Sequence, residues 1–378
     1  MEICNNFDAK GQIVYIEPKW VTGETCLFNI KDPLIYAQAK AKLSKIRREF
    51  ILKLEEEGFI ITYEKTKDKD IVYLIMDDSS ICDTNQTIDI YKKEFDKKMF
   101  KAGGNKLNYP YTLTVEEYFK NPFFPAVFKY ELVNGGVDKF LIETKEQLEI
   151  IKKFYHDFSN NKEYKDAFSC SIFQQYIETP TKYQTYMRVL MSASGDLMGA
   201  SLKYSKIEEK KRNPQGIFEK YFWNKNSQYF LNCNGMFNYY SEGGNILFCQ
   251  PRYSSEKQEI LEEHGIECDN IKVPEEVLEV ASMIVQKCNR ELGIMCGIDF
   301  ILNKKDNKWY YLENQAFPAI EEWAATKDIK TVNVKNVNDY IKYCAQELEA
   351  RHDALMMYMN KKSSEKQLEK HKRLKFIR

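Results

Sequence analysis

The sequence predicts a mixed α/β (α+β) fold, and three observations predict it. Short apolar runs suited to strands alternate with stretches whose apolar residues recur at helical spacing. Helix-start signals stand where those stretches begin: Asp32 before Pro33, Thr114 three residues before Glu117, and Thr144 three before Gln147. The 378 residues correspond to two or three domains at roughly 100–200 residues each.

The first unit opens with a strand at Gln12 to Ile16. A helix follows from Pro33, with Ile35, Ala39, Leu43, Ile46, Phe50 and Leu54 on one face, and stops at Gly58. Strands are expected at Phe59 to Tyr63 and Ile71 to Met76, then a helix from about Ile90 to Ala102, ending at Gly103-Gly104. In the middle section the capping box at Thr114 starts a short helix. A strand at Phe124 to Tyr130 runs into the turn Asn134-Gly135-Gly136, and another strand leads to the helix that Thr144 caps. Leu148, Ile151, Phe154 and Tyr155 form that helix's buried stripe. A charged linker separates it from strands at Ser171 to Ile177 and Thr185 to Met191. The last section starts a helix at Pro274 with Val277, Val280, Ala281, Ile284, Val285, Cys288 and Leu292 at helical spacing. Strands at Gly297 to Asn303 and Lys308 to Glu313 follow, then a helix from about Val334 to Met359 and a charged tail from Lys361 to Arg378.

Composition narrows the function classes. Lys+Arg and Asp+Glu both number 56, so the formal net charge is zero and no overall footprint for nucleic acid exists. No apolar run approaches the ~18 residues that span a bilayer, so no membrane partner is expected. Met1 to Lys10 has no apolar stretch behind a basic start, which reads as no signal peptide. The ten cysteines are scattered without a C-x-x-C pair and read as reduced thiols of a cytoplasmic protein. Four histidines make a His-rich zinc site a poor expectation.

Two acids in the final hairpin carry the most chemistry. Asp299 in Gly297-Ile298-Asp299-Phe300 and Glu313 in Tyr311-Leu312-Glu313-Asn314-Gln315 stand side by side if the strands pair across a tight turn. Acids interleaved with Ile298, Phe300 and Leu312 lie beside a packed face, where an unpaired charge is costly. A hard cation such as Mg²⁺ removes that cost. Taken singly, each acid also reads as an ordinary hairpin residue in a turn contact or a surface ion pair. Lys129, at the end of an apolar strand and followed by Gly135-Gly136, suits phosphate, and equally suits a strand edge beside a hairpin turn. Phe173-Gln174-Gln175-Tyr176-Ile177 can line an adenine pocket or be a plain buried strand. Arg188 interrupts an apolar strand; it can face phosphate, pair with Asp299 or Glu313, or point to solvent.

The order of these features resembles the ATP-grasp superfamily over about residues 90 to 325. Asp96-Lys97 with Tyr109-Pro110-Tyr111-Thr112 resembles its entry segment, Pro125 to Lys129 its "P-v-v-v-K" strand, and Gly135-Gly136 its phosphate loop. Phe173 to Ile177 resembles its adenine hinge, Arg188 its "R-v" strand and Ser194-Gly195-Asp196 the hairpin turn behind it. Ser241 to Asn245 resembles its "N-x-x-x-G-G" neighbourhood, Gly297 to Phe300 "G-x-D-f", and Tyr311 to Pro318 "l-E-x-N-x-x-P". The resemblance implies two α/β lobes clasping ATP behind a small N-terminal α/β pre-grasp domain. It sets a pre-grasp domain at 1–110, a small lobe at 111–180, a large lobe at 181–345 with an insertion at about 204–245, and a helix end and charged tail at 346–378. Lys97 and Lys129 are implied as phosphate-contacting lysines, with Gly135 and Gly136 closing over the phosphates. Gln174, Gln175 and Ile177 would hold adenine, although Gln174 stands where the family often has glutamate. Arg188 and Lys203 are the implied catalytic cations. Asp299, Glu313 and Gln315 are the implied metal ligands, Gln315 standing where the family usually has asparagine.

The implied activity uses ATP and Mg²⁺, with Mn²⁺ as a second candidate ion. It activates a small-molecule or peptide carboxylate as an acyl-phosphate and joins it to an amine, releasing ADP and phosphate. Two rivals stay open: an ATP-grasp-fold kinase acting on a small molecule, and a non-catalytic nucleotide-binding module. The basic and aromatic stretch from Tyr204 to Tyr240 reads either as an acceptor-binding insertion or as a solvated loop with a local aromatic cluster. The identity of the substrates and the oligomeric state are left open.

Overall fold

The computed structural model describes residues 11–22, 32–64, 71–75, 108–130, 138–180, 183–206, 216–232, 245–248, 273–315, 318 and 320–376. The expected helix at Ile90 to Ala102, together with Lys97, Gly135, Gly136 and the Ser241 to Gly244 part of its motif, lies outside them.

The N-terminal unit consists of β1 (Ile13–Ile16), α1 (Pro18–Val21), α2 (Pro33–Glu56), β2 (Ile60–Thr62) and β3 (Val72–Ile75), with the strands in a parallel sheet ordered β2-β1-β3. Asp32 caps α2 by accepting from the N–H groups of Leu34 at 2.8 Å and Ile35 at 3.2 Å. Pro33 sits where a helix has no use for an N–H. Gly58, at φ 96°, turns the chain out of the helix. The buried stripe is Ala39, Leu43, Arg47, Phe50, Ile51 and Leu54. The expected stripe is corrected at its start, where Ile35 is exposed. Arg47 takes an inward position because its guanidinium donates to the Trp20 carbonyl and stacks on the Trp20 ring at 4.5 Å.

The next unit comprises β4 (Thr112–Thr114), α3 (Val115–Lys120), β5 (Ala126–Tyr130), β6 (Lys139–Ile142), α4 (Lys145–Asp157), α5 (Lys162–Ser169) and β7 (Ser171–Gln175). Its antiparallel sheet is ordered β4-β7-β5-β6. Both capping boxes form, Thr114 with Glu117 and Thr144 with Gln147. The stretch read as a charged linker is α5: Asn161 caps it through Glu163 N–H at 3.0 Å, and Tyr164, Ala167 and Phe168 bury its inner face. Its charges are the solvent face of an amphipathic helix.

The third unit holds β8 (Tyr183–Ser192), β9 (Leu197–Lys206), α6 (Glu219–Phe222), β10 (Asn245–Phe248), α7 (Glu275–Leu292), β11 (Met295–Asn303), β12 (Lys308–Gln315), α8 (Glu321–Thr326) and α9 (Val337–Phe376). Its five strands run in the order β10-β9-β8-β11-β12. Met187, Val189, Met191, Ala200, Leu202, Ile298 and Phe300 face α7, whose Val277, Ala281, Ile284 and Val285 complete a core. The alternate residues of the same strands face the other way, and several of them are charged. The tail expected beyond Met359 continues as helix through Phe376. Cys170, Cys296 and Cys344 are buried and are not in disulfides. Among the described residues no helix is long and apolar enough to cross a membrane.

Residues 216–232 do not form a solvated loop. Phe218, Phe222, Tyr229 and Leu231 are buried in one cluster with Phe128, Phe140, Phe154 and Phe168 of the second unit. Gln147 on α4 donates to the Asn232 carbonyl at 2.7 Å. Phe218, Phe222 and Tyr229 thus help fill the core beside the β5–β6 hairpin.

Candidate active site

Strand register assembles the charged residues. Arg188 lies opposite Ser201 on β9 and opposite Asp299 on β11, and Asp299 lies opposite Glu313 on β12. Directly opposed side chains share a sheet face, so Ser201, Arg188, Asp299 and Glu313 form one row across four strands. Lys203 stands two residues along from Ser201, and Gln315 two along from Glu313, on the same face. Asp299 and Glu313 stand side by side as expected of the hairpin, and pairing with β8 and β9 adds Arg188 and Ser201 to them.

Arg188 and Asp299 are both buried and joined by two hydrogen bonds, Nε to Oδ1 at 2.7 Å and Nη2 to Oδ2 at 2.6 Å. Of the open readings for Arg188, pairing with Asp299 is the one observed. Burial works against the Arg188 charge, but the Asp299 carboxylate outweighs it and holds the guanidinium protonated, well above its ordinary range. Burial pushes the Asp299 carboxyl up, Arg188 opposes that shift, and the Glu313 charge adds to it. Lys203, 2 % exposed, places Nζ 3.3 Å from Oε1 of Glu322 on α8. Glu313 is only partly buried and stands 3.6 Å from Lys139 Nζ.

Lys139 belongs to β6 of the second unit, directly opposite Lys129 on β5. The two lysines share a face of the hairpin, and Lys139 of that face reaches Glu313 of the five-stranded sheet. Lys129 Nζ donates to Gln174 Oε1, and Gln174 Nε2 donates to Thr112 Oγ1 at 3.2 Å. The Gln174 amide is therefore a buried bracket for the lysine. The Gln175 N–H donates to the Tyr111 carbonyl at 2.7 Å. Ile177 is buried at the end of the same segment.

A metal can be tested against this donor set. Asp299, Glu313 and Gln315 offer hard oxygens on one face, and two of them are carboxylates close enough for Glu313 to oppose ionisation of Asp299. A divalent cation relieves that repulsion, so the set fits Mg²⁺. Among the described residues no three His, Cys, Asp or Glu side chains form a metal cluster.

Next to the hairpin lies a buried acid that sequence reasoning missed. Asp138 immediately precedes β6, is fully buried and has φ 50°. Its Oδ1 accepts from Phe218 N–H at 3.0 Å and Glu219 N–H at 2.8 Å, while its own N–H donates to Glu219 Oε1 at 3.2 Å. Gly216 is required here, because a Cβ would stand 2.0 Å from Asp138 Oδ1. Burial pushes the carboxyl up to about 6, the backbone donors oppose this, and the Glu219 charge adds to it. A folded value above the ordinary 3.8 means that the acid's contribution is complete below that pH and is lost as pH rises through about 6. A rise from 3.8 to about 6 is worth about 3 kcal/mol. Asp138→Asn keeps the acceptor, tolerates positive φ and cannot ionise. Its urea midpoint should exceed that of the wild type at pH of about 7.5, with a flatter stability profile between about pH 4 and 6.5. An unchanged profile would remove Asp138 as the titrating group.

Lys139, Asp138 and Glu322 are the site residues that sequence reasoning missed. Lys139 alone had a signal, as the first strand residue after the glycine turn.

No family model matches the sequence, and no curated protein matches it. Among solved structures the chain is similar to a D-alanine–D-alanine ligase from Bacillus anthracis, at 11% identity and TM-score 0.37, over 90% of this chain and 98% of that one. It is similar to a Chryseobacterium gregarium RiPP-associated ATP-grasp ligase in complex with ADP and a leader and core peptide, at 13% identity and TM-score 0.33, over 89% and 76%. It is also similar to the ATP-grasp ligase PsnB complexed with minimal precursor, Mg and ADP, at 12% identity and TM-score 0.35, over 91% and 78%. Identities this low leave the site's own side chains to decide function.

Proposed function

We propose that this chain is an ADP-forming ATP-grasp ligase that activates a substrate carboxylate as an acyl-phosphate and joins it to an amine. One observation carries the reading: the hairpin face that bears Lys129 and Lys139 meets an acid of the other sheet, with Lys139 Nζ 3.6 Å from Glu313. Cations on one wall and metal-suited oxygens on the other make a slot for a polyphosphate and its ion.

Lys129, with Lys97, Gly135 and Gly136, would hold the phosphates. Lys139 is added to that set from its place opposite Lys129. Gln174, Gln175 and Ile177 would flank adenine where β7 ends. Mg²⁺, or Mn²⁺, held by Asp299, Glu313 and Gln315, would supply charge neutralisation at the phosphate oxygens. Arg188 spends two of its five N–H donors on Asp299, and the others suit a phosphoryl oxygen. A carboxylate oxygen attacks the γ-phosphorus while the bond to ADP breaks. The amine then attacks the acyl carbon, phosphate leaves, and the amine proton passes to solvent. The carboxylate is already a competent nucleophile, so the protein need only position it and offset charge. The carboxylate and the amine are proposed to be small molecules or peptides, and the setting cytoplasmic.

Turnover should yield ADP and phosphate in equal amounts, only with both substrates present. With ¹⁸O in the substrate carboxylate, one label should appear in the released phosphate. Unlabelled phosphate, or AMP and pyrophosphate, would rule out the mechanism. A stable phosphorylated product without free phosphate would make the chain a kinase.

A further inference from the structure

Three residues of β9 at alternate positions, Gly199, Ser201 and Lys203, share the charged face. Helix α8 lies directly on them. A Cβ at Gly199 would stand 2.2 Å from the Glu322 carbonyl oxygen, so only glycine lets the helix approach this closely. The approach is fixed from both sides: Thr326 Oγ1 donates to the Met198 carbonyl at 3.1 Å, and Trp323 Nε1 donates to Asp353 on α9 at 2.9 Å. Ile320, Trp323 and Ala324 are buried in the apolar cluster beneath. The result is that the Glu322 carboxylate, with no exposed surface, is held over the strand. Its Oε1 accepts from Ser201 Oγ at 2.6 Å and stands 3.3 Å from Lys203 Nζ. Its Oε2 is buried and has no hydrogen-bond partner.

This is a poor device for stability. Removing two charges from water costs about as much as their attraction returns, and a buried oxygen without a donor adds to the cost. It is a good device for position. A lysine has a flexible four-carbon stem, and here its head is fixed by an acid whose own place is set by Ser201, Gly199 and the seating of α8. We propose that Glu322 is a positioning residue that acts through Lys203, with Ser201 as its brace, so that α8 sets the aim of a phosphate-contacting lysine. The inference rests on the reading of Lys203 as a phosphate ligand.

The test is a double-mutant cycle read by calorimetry of the magnesium complex of a non-hydrolysable ATP analogue, with thermal melts beside it. Lys203→Met should weaken binding by about tenfold or more, the scale of one lost contact to a charged group. Unchanged binding in Lys203→Met would end the phosphate reading of Lys203 itself. Given that loss, Glu322→Gln should weaken binding by a similar factor, and the double variant should bind no worse than Lys203→Met alone. Ser201→Ala is the gentler variant should Glu322→Gln fold poorly; it should show a smaller loss of affinity with a melting temperature close to wild type. Wild-type affinity in Glu322→Gln or Ser201→Ala, or additive losses in the double variant, would overturn the positioning role while leaving Lys203 in place.

Discussion

Arg188→Met is expected to lower the stability of the chain by about 3–5 kcal/mol, the scale of leaving one buried charge without its partner. Wild-type Arg188 makes two short bonds to Asp299, and both side chains lie within the sheet. Methionine fills much of the arginine stem's volume, so the loss is electrostatic rather than a cavity. Asp299 would be left buried beside Glu313, and its carboxyl would take up a proton more readily. Urea unfolding near neutral pH reads the effect, with an unchanged slope showing that the denatured state is not altered. The double variant Arg188→Met, Asp299→Leu should recover most of the loss, since apolar replacement of a buried pair is often neutral or stabilising. Nucleotide turnover should not recover with it. Recovery of stability without turnover separates what the pair does for the fold from what it does for the chemistry. A single variant as stable as wild type would show that the pair contributes nothing to folding.

The parts of this site that were legible in the sequence are those set by local rules. The caps at Asp32, Thr114 and Thr144 form as read, because a side-chain oxygen reaching its own helix N–H groups needs no tertiary partner. The candidacy of Asp299 and Glu313 was legible because an acid between apolar strand residues is unusual wherever the strand lies. Other features depend on which strand pairs with which. Nothing near Arg188 states that Asp299, 111 positions later, will be its partner. Lys139 gains meaning only when the β5–β6 hairpin is laid against β12. Glu322 follows a proline-containing loop, and its role depends on a glycine more than a hundred residues earlier. The linker reading of the stretch before Ser171 failed for the opposite reason. Its charges outnumbered its buried residues, and Tyr164, Ala167 and Phe168 are too few to stand out as a stripe. Aromatic density at Phe218 to Tyr229 was visible, but the direction it faced was not, because it completes a core built by another unit.

Glu313→Gln should cut turnover by about 10³ and leave the fold untouched. The two effects separate because of where Glu313 stands. Its side chain is 42% exposed, and its contact with Lys139 at 3.6 Å is a loose pair in partial solvent. Such pairs contribute about 0–1 kcal/mol, so the melting temperature should stay close to wild type. In the proposed reaction the same carboxylate faces Asp299 across the strand pair, where a shared magnesium ion would draw on the charge of both. Glutamine keeps the shape and one oxygen but supplies no charge. Losing one preorganised electrostatic contact commonly costs about 10²–10³ in rate, and a metal-bridging acid should lie at the upper end of that range. A magnesium titration of nucleotide binding distinguishes the causes. If Glu313 is a metal ligand, the variant should need more magnesium to reach the same nucleotide affinity, while binding measured without magnesium should be unchanged or slightly tighter, since one negative charge has left the slot. Near-normal turnover at ordinary magnesium would make Glu313 a hairpin residue paired with Lys139 and nothing more. The metal would then have to be held by Asp299 on another side of the sheet row, away from β12.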